Sequence, residues 1–286
     1  MHASAPARGL RARPAPPGPA PCWAAAALST AHAAPPPLPL RAHSLVLRWP
    51  DGGRPEVARD AGALDCRALW ALEAATKRRA LQVLSLRGCV LGPWGAHFVA
   101  NGVRAAGGAS RLEVLRLNAC RLRAEGCSTV ATLLSLEGSP LAELELEDNA
   151  VGDAGLAKLA EALGANVSLE VLILKRNRIG PARLPALATA VAAHPSLRVL
   201  DLGHNRIGYR GCAALSDALR GSSSLQKLYL AHNALRSDAL WRLASVSVGH
   251  ESLLLLDLRG IRLAAAERAR LMERVTLGGL ELRTSR

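Results

Sequence analysis

Charged residues of opposite sign gather around one short segment of this chain. Four carboxylates follow one another closely, and cations stand at a similar distance along the chain on both sides: Glu143, Glu145, Glu147 and Asp148, with Arg116, Lys175 and Arg176. Such a group could form a docking patch that steers and orients a protein partner. Alternatively, the charges pair with one another between neighbouring strands and bind nothing. Because the charges almost cancel, the sequence favours neither interpretation.

A second group combines imidazoles with carboxylates and a phenol. His204 and His232 are separated by the same interval as Glu147 and Lys175, and positions close to them carry Asp201, Tyr229 and Asp257. Histidine can bind a metal ion or transfer a proton, but no third ligand of a suitable type is evident at the matching positions. Contact with a partner is therefore the preferred interpretation of both histidines.

The sequence contains none of the compact motifs that accompany catalysis. GxxxxGK[ST], GxGxxG, GxSxG, HExxH and paired CxxC are all absent. These motifs build phosphate-binding loops, activated nucleophiles and zinc sites. We therefore predict a protein that is not an enzyme, with no catalytic residue, no cofactor and no metal site.

A regular repeat positions these side chains. In one unit, Leu169, Leu172, Leu174 and Ile179 are the apolar positions around Asn177. Equivalent units start at Leu81, Leu112, Leu141, Leu169, Leu197, Leu225 and Leu253, and the spacing is constant from the third unit onward. The ninth position is cysteine in the first two units and asparagine in the next four. A fixed period of this length marks a protein of stacked repeats.

Each unit predicts one strand and one helix. The LxxLxL segment forms a strand whose leucines point inward, and the asparagine or cysteine then turns the chain by bonding to backbone groups. Glycines are expected just before the helices, at Gly95, Gly126, Gly155 and Gly211. Strands stack about 4.8 Å apart, whereas packed helices need roughly 8–10 Å. The stack must therefore curve, with the strands on its inner side.

Side chains between the leucines point away from the core and align in rows across the strands. One row contains valines at Val83, Val114, Val171 and Val199. These valines could form the apolar centre of an interface, but valine also favours strands in general. The strand preference is the simpler explanation.

The unit LxxLxLxx(N/C)xL, followed by a glycine and a helix, resembles the ribonuclease-inhibitor-like subfamily of leucine-rich repeats over roughly residues 81–282. The resemblance implies an α/β solenoid, a short horseshoe with a parallel concave sheet and helices on its convex side. It also implies a non-enzymatic scaffold that binds a protein partner on its concave face. The alternative is a regulator of a small GTPase, similar to the Ran GTPase-activating protein, although no functional residue of that protein can be carried over.

The net charge of +13 raises a third possibility, arginine-driven binding of nucleic acid. No run of lysine and arginine is longer than three, and only 3% of residues are aromatic. Because single-stranded nucleic acids are bound by stacking on aromatic side chains, nucleic acid is not the expected partner. No membrane span is expected, and a monomer is favoured.

Composition and spacing divide the chain into three parts. The first, residues 1–43, is rich in Ala, Pro and Arg and is predicted to be a disordered tail or a transit segment. The second, residues 44–80, is predicted to be an amino-terminal cap or degenerate repeat. The third, residues 81–286, is predicted to be the repeat array, with a closing strand at Leu280 and Leu282. Six cysteines without a CxxC pair indicate free thiols. A cytoplasmic location is therefore predicted, with organelle import through residues 1–43 as the alternative.

Overall fold

The computed structural model describes residues 44–46, 72–74, 76–77, 81–106, 110–261, 263–276 and 280–285. These residues belong to one compact unit, Pro37–Arg286. Their strands form a single parallel sheet in chain order: β1 (Ser44–Val46), β2 (Val83–Ser85), β3 (Val114–Arg116), β4 (Glu143–Glu145), β5 (Val171–Ile173), β6 (Val199–Asp201), β7 (Lys227–Tyr229), β8 (Leu255–Asp257) and β9 (Glu281–Arg283).

A helix connects each strand from β2 onward to the next strand. The helices are α1 (Gly92–Ala106), α2 (Arg123–Leu134), α3 (Gly152–Ala165), α4 (Leu184–Ala193), α5 (Gly208–Gly221), α6 (Ser237–Ser247) and α7 (Ala265–Thr276). Consecutive helices pack against one another along the array. The predicted α/β solenoid is therefore confirmed.

The core consists of leucine rows that run across the sheet. The middle residue of each strand from β2 to β8 pairs in register with the next and is at most 1% exposed: Leu84, Leu115, Leu144, Leu172, Leu200, Leu228 and Leu256. Helix residues such as Leu156, Leu159 and Leu163 close the core from the other side. Burial of each leucine side chain contributes roughly 1.5–3 kcal/mol to the stability of the folded state.

A ladder of asparagine side chains joins consecutive units behind the strands. Oδ1 of Asn149 accepts hydrogen bonds from the backbone N–H groups of Cys120 (2.9 Å) and Leu122 (3.3 Å), and its Nδ2 donates to the carbonyl oxygen of Leu117 (2.7 Å). Asn177 bonds in the same way to the unit before it. Each asparagine therefore satisfies buried backbone groups of its neighbour, as predicted.

Cysteine replaces asparagine in the first two units of the array but forms only some of the hydrogen bonds that asparagine forms. The thiol of Cys120 donates to the carbonyl oxygen of Leu86 (3.0 Å), as an asparagine Nδ2 would. The N–H group of Cys89 donates to the carbonyl oxygen of Leu86 within its own unit (3.0 Å). A thiol is a weak acceptor, so this end of the ladder relies on local backbone bonds.

The glycines predicted to precede the helices lie instead inside the first helical turn: Gly95, Gly126, Gly155 and Gly211. They are glycines because the turn packs tightly; a Cβ at Gly155 would approach Cγ1 of Val151 to 2.7 Å. The helices begin earlier, and three of them start with a glycine of positive φ: Gly92 (61°), Gly152 (60°) and Gly208 (62°). That earlier glycine is the helix-start signal that the prediction missed.

The amino-terminal end carries one further strand. β1 pairs in parallel with β2, with Leu45 opposite Leu84, so the strand predicted around Leu45 is present. Leu72 and Thr76 lie in a helical stretch, where Thr76 Oγ1 donates to the carbonyl oxygen of Leu72 (3.1 Å) and sits against Gly102 of α1. Residues 1–43, 47–71 and 277–279 and residue 286 lie outside the described residues, so predictions on them stay predictions.

Candidate partner-binding surface

The side of the sheet away from the helices, here called the open sheet face, is built from strand residues that flank the buried leucines. The register places Arg116 beside Glu145, and continues that row through Ile173 and Asp201 to Tyr229. These flanking side chains are partly exposed, whereas the middle residue of each strand is buried. The predicted rows are therefore real neighbours on one surface.

The strand-borne carboxylates of the acidic segment are paired with their neighbours. Arg116 Nε lies 2.6 Å from Oε1 of Glu143 and 3.1 Å from Oε1 of Glu145. Lys175 Nζ lies 3.3 Å from Oε1 of Glu147, and Asn118 also donates to Glu145. The lateral pairing considered from the sequence is thus present on this face.

Burial and pairing move the pKa values of the two carboxylates next to Arg116 in opposite directions. Partial burial acts to raise the pKa of Glu143, but hydrogen bonds from Arg116 and Glu145 hold it below its ordinary value. Partial burial raises the pKa of Glu145, and contact with Glu143 adds to this, although Asn118 opposes it. Glu145 therefore holds a proton more readily than Glu143 does.

Asp148 and Arg176 occupy a different place from the strand charges. Both follow the strands, and both have a left-handed backbone, with φ of 56° and 59°. Their side chains are exposed, and neither forms an ion pair within the part of the chain that the structure describes. The predicted patch therefore divides into paired charges on and just after the strands and two unpaired charges, Asp148 and Arg176, one residue further along the turns.

The second predicted group lines an open groove of about 440 Å³ that contains Lys175, Asp201, His204, Tyr229, His232 and Asp257. The rings of His204 and His232 are stacked, with centroids 4.1 Å apart and planes 20° apart. The structure thus brings together the histidines, the carboxylates and the phenol that the sequence singled out.

The two carboxylates in this groove have different partners. Oδ1 of Asp201 accepts a hydrogen bond from the N–H group of Gly203 (2.8 Å), and burial raises the pKa of Asp201. The side chain of Asp257 is 1% exposed and bound by Arg259, whose Nη2 lies 2.6 Å from Oδ2. Burial acts to raise the pKa of Asp257, but its hydrogen bonds with Arg259 outweigh burial and lower it.

Sequence reasoning did not include Arg259 and Asn118 among the candidate binding residues, although both lie in a row of this surface. The available signal was spacing: residues two apart on a strand lie on the same face, and Arg259 and Asn118 each follow a strand row residue by two positions. A short side chain such as Asp257 needs a partner at that distance when it is buried.

Burial is the main cause of the pKa shifts of one histidine and of two cysteines. Burial, helped by His232, Arg176 and Lys175, lowers the pKa of His204, which favours its neutral imidazole. Cys127 and Cys212 are fully buried, and burial raises the pKa of both thiols to about 12. Within the described ranges, no group of three His, Cys, Asp or Glu residues is arranged to hold a metal ion.

A small apolar area lies beside the charges. Val171 and Ile173 on β5 lie next to Val199 on β6 in the register, and all three side chains are half-buried. None of the helices in the described ranges combines the length and the hydrophobicity that crossing a bilayer requires.

Comparison with known proteins agrees with this architecture. The family model described as Leucine Rich repeat matches residues 139–160 and 193–216. These segments are leucine-rich repeats. The repeats are similar to those of the ribonuclease-inhibitor-like type: the chain is 36% identical over 101 residues to the Ribonuclease inhibitor of Sus scrofa, a match that covers 35% of this chain. The match spans only 21% of that relative's length.

Proposed function

We propose that this protein is a non-enzymatic scaffold that binds a protein partner on its open sheet face, the concave side of the predicted horseshoe. The observation that carries the proposal is the continuous row of side chains from Arg116 to Asp257, held in register by strand pairing. A second support is the similarity to leucine-rich repeat proteins, because such repeat arrays offer extended binding surfaces.

Rigid backbone support suits this surface to binding. The strand residues lie between buried leucines and the asparagine ladder, so their positions are set before any partner arrives. A surface that does not need to order itself loses less conformational entropy on association. The open sheet face is therefore suited to recognise a folded partner.

The composition of the face also resembles an interface. Val171, Ile173 and Val199 supply an apolar centre, and Tyr229 is the kind of aromatic side chain that anchors complexes. Charged side chains surround this centre, and because most of them are already paired, they specify register more than they add affinity. The proposed contact residues are Arg116, Glu143, Glu145, Glu147, Asp148, Lys175, Arg176, Asp201, His204, Tyr229, His232 and Asp257.

Affinity capture with two valine variants tests the proposal. The chain carrying Val171→Asp places a charge in the apolar centre, whereas Val167→Asp places the same charge on a loop valine that is 70% exposed. We expect proteins captured from native lysate by the wild-type chain to be lost with Val171→Asp and retained with Val167→Asp. Equal capture by both variants, with both folded by circular dichroism, would reject the open sheet face as the binding surface.

The captured protein also decides between the scaffold and the regulator. If it is a small GTPase, single-turnover GTP hydrolysis with and without this chain is the relevant measurement. Acceleration of hydrolysis would replace the scaffold proposal by the regulator alternative. Unchanged hydrolysis would leave binding alone as the function.

The buried cysteines support a location as well. Cys120, Cys127 and Cys212 are buried thiols without a disulfide bond among the described residues, as expected in a reducing compartment. We therefore infer a cytoplasmic monomer, with organelle import through residues 1–43 as the alternative. Fractionation of cells that express the tagged chain with and without residues 1–43 would distinguish the two locations.

A further inference from the structure

A row of arginine and histidine side chains follows the carboxyl ends of three neighbouring strands, β5 to β7. We call this row the basic edge; it consists of Arg176, Arg178, His204, Arg206 and His232. Backbone hydrogen bonds continue across the loops here. The N–H group of Arg176 donates to the carbonyl oxygen of Gly203 (3.0 Å), and that of Arg206 donates to the carbonyl oxygen of Ile179 (2.7 Å). The members of the basic edge are therefore lateral neighbours.

The arginines of the basic edge differ in their electrostatic partners from the arginines on and beside the strands. Arg116, Arg198, Arg259 and Arg283 each form an ion pair with a carboxylate. Among the residues that the structure describes, Arg176, Arg178 and Arg206 form none, and all three side chains are exposed. The chain neutralises the first set and leaves the arginines of the basic edge to solvent.

The nearby carboxylates do not neutralise the basic edge, because they have other partners. Glu147 pairs with Lys175, and Asp201 accepts the N–H group of Gly203. Asp153 accepts the N–H group of Gly180 (2.7 Å). The three arginines of the basic edge thus have no ion-pair partner among the described residues, although an acidic segment lies close to them.

The backbone turn that carries these arginines recurs along the array. Arg176 and Arg178 have φ of 59° and 58°, and Ala119, Asp148 and His204, which stand at the position of Arg176 in other units, have φ between 55° and 56°. The turn therefore accepts several side chains. Its geometry alone does not require an arginine at either position.

We propose that the basic edge binds an acidic segment of the protein partner, with carboxylates of that segment contacting Arg176, Arg178 and Arg206. The planar guanidinium group binds a carboxylate through two parallel hydrogen bonds. The stacked rings of His204 and His232 line the adjoining groove and offer further N–H donors. This assignment rests on the proposed function, because the occupant is part of a protein.

The extent of the basic edge favours a short peptide segment over a nucleic acid. Three neighbouring strands span about 10 Å at roughly 4.8 Å per step. Asp148 stands at the equivalent position of the preceding unit, next to the paired carboxylates of β4, so a longer polyanion would meet like charge. Tyr229 is the one aromatic residue on the strands of the described ranges, and stacking of successive bases needs more than one.

Fluorescence anisotropy with a labelled octaglutamate peptide tests the proposal on the full chain. The edge variant, Arg176→Gln with Arg178→Gln and Arg206→Gln, is compared with a control variant, Arg104→Gln with Arg220→Gln and Arg274→Gln. The control removes the same charge from exposed helix positions. We expect the edge variant to bind the peptide at least tenfold more weakly and with a smaller salt dependence, and the control to change by less than twofold.

Three outcomes would overturn the proposal. The peptide could bind the edge variant as well as it binds the wild-type chain, or both variants could lose affinity equally, which would indicate attraction to net charge alone. A labelled dT8 oligonucleotide could bind more tightly than octaglutamate at the same salt concentration and lose its affinity in the edge variant, which would assign the basic edge to nucleic acid. If Val171→Asp still abolishes capture in any of these cases, the proposed function stands without the acidic segment.

Discussion

The charges on the open sheet face and those on the basic edge are placed by the same repeat, but they differ in whether they form ion pairs. A strand residue has a neighbour on each side about 4.8 Å away with a parallel side chain, so Arg116 meets the carboxylates of β4. Just beyond the strands, Lys175 pairs in the same way with Glu147 of the preceding unit. Arg176 and Arg178 lie on loops with positive φ and meet none among the described residues. The charges around β4 are thus satisfied internally, and those of the basic edge remain for a partner.

The two carboxylates in the groove repeat this contrast at closer range. Asp257 is bound by Arg259 two positions later, whereas Asp201 is followed at the same distance by Gly203, which offers only its N–H group. The pKa of Asp257 is lowered and that of Asp201 is raised. The difference between Arg259 and Gly203, which stand at equivalent positions, therefore accounts for the opposite pKa shifts of the two carboxylates.

Both regions depend on the asparagine ladder, and removing one step of it should have the largest effect. Asn177→Ala deletes the acceptor for the N–H groups of Asn149 and Val151 and the donor to the carbonyl oxygen of Leu146. We expect the free energy of unfolding to fall by about 3 kcal/mol, because each buried group left without a partner costs roughly 1–3 kcal/mol. Urea denaturation followed by circular dichroism measures the loss.

Asn177→Cys is the matched control for that substitution, because cysteine occupies this position in two natural units. The thiol can still donate to the carbonyl oxygen, as in Cys120, but accepts weakly. We expect a loss smaller than that of Asn177→Ala. Equal losses would show that donation by the thiol contributes nothing.

The contrast between the two groove carboxylates should appear as opposite responses to the same change. Asp257→Asn weakens charge-assisted hydrogen bonds, and we expect a loss of about 1–2 kcal/mol at pH 7. Asp201→Asn keeps an acceptor for Gly203 and removes a charge that burial disfavours, so we expect no loss or a small gain. Chemical denaturation of both variants at pH 7 is the measurement.

The pH dependence sharpens this prediction. The folded-state pKa of Asp257 is depressed, so its contribution is present above the unfolded pKa of about 3.9 and disappears as the pH falls through the folded value. The loss caused by Asp257→Asn should therefore shrink in acid. The folded-state pKa of Asp201 is raised, so the cost of its charge grows as the pH rises from the unfolded value through the folded value. The gain from Asp201→Asn should therefore be largest above the folded value. A loss with Asp257→Asn that is independent of pH would contradict the role of its charge.

Strand and edge arginines should respond differently to the same neutral replacement. Arg116→Gln removes ion pairs to Glu143 and Glu145 that are partly exposed, and we expect a loss of about 0.5–1 kcal/mol that high salt reduces. Arg176→Gln removes no ion pair to a described residue and should change stability by less than about 0.5 kcal/mol. Thermal unfolding at low and high salt measures both. A larger loss of stability with Arg176→Gln than with Arg116→Gln would contradict the expected difference between paired and unpaired arginines.

The smallest expected effect is a gain. Arg178→Gly relieves a left-handed backbone at φ 58°, and we expect the free energy of unfolding to rise by about 0.5 kcal/mol. The same variant should weaken octaglutamate binding. Unchanged or lower stability, measured by thermal unfolding, would show that Arg178 is not strained in the folded protein.

Much of the fold could be predicted from the sequence because its spacing is regular. The repeat located Leu172, Leu200 and Leu228 in one buried row, and the structure confirms this. The asparagine at the ninth position was also correctly interpreted. The helix starts were wrong by nearly one helical turn, because the glycine that begins a helix, such as Gly152, was overlooked in favour of Gly155. Gly155 is required by close packing against Val151 inside the first turn.

The candidate surface was predictable in its membership but not in its pairing. Rows of neighbours follow from a fixed period, so Glu145 and Asp201 could be placed on one face from spacing alone. Which nitrogen meets which oxygen depends on rotamers and on loop conformation, and these are set by contacts between units. The different roles of Arg116 and Arg176, and the stacking of His204 on His232, therefore required coordinates.

The amino-acid sequence by itself determined the period, the identity of the buried leucines and the set of side chains that face outward, because a repeat that buries one face leaves only one register for all the others. The tertiary structure alone decided which charges are neutralised. That outcome depends on distances of a few ångströms between side chains of different units, where the electrostatic energy changes steeply with separation and burial. In this protein, side chains around β4 lie close enough to form ion pairs, whereas the arginines of the basic edge have no ion-pair partner among the described residues.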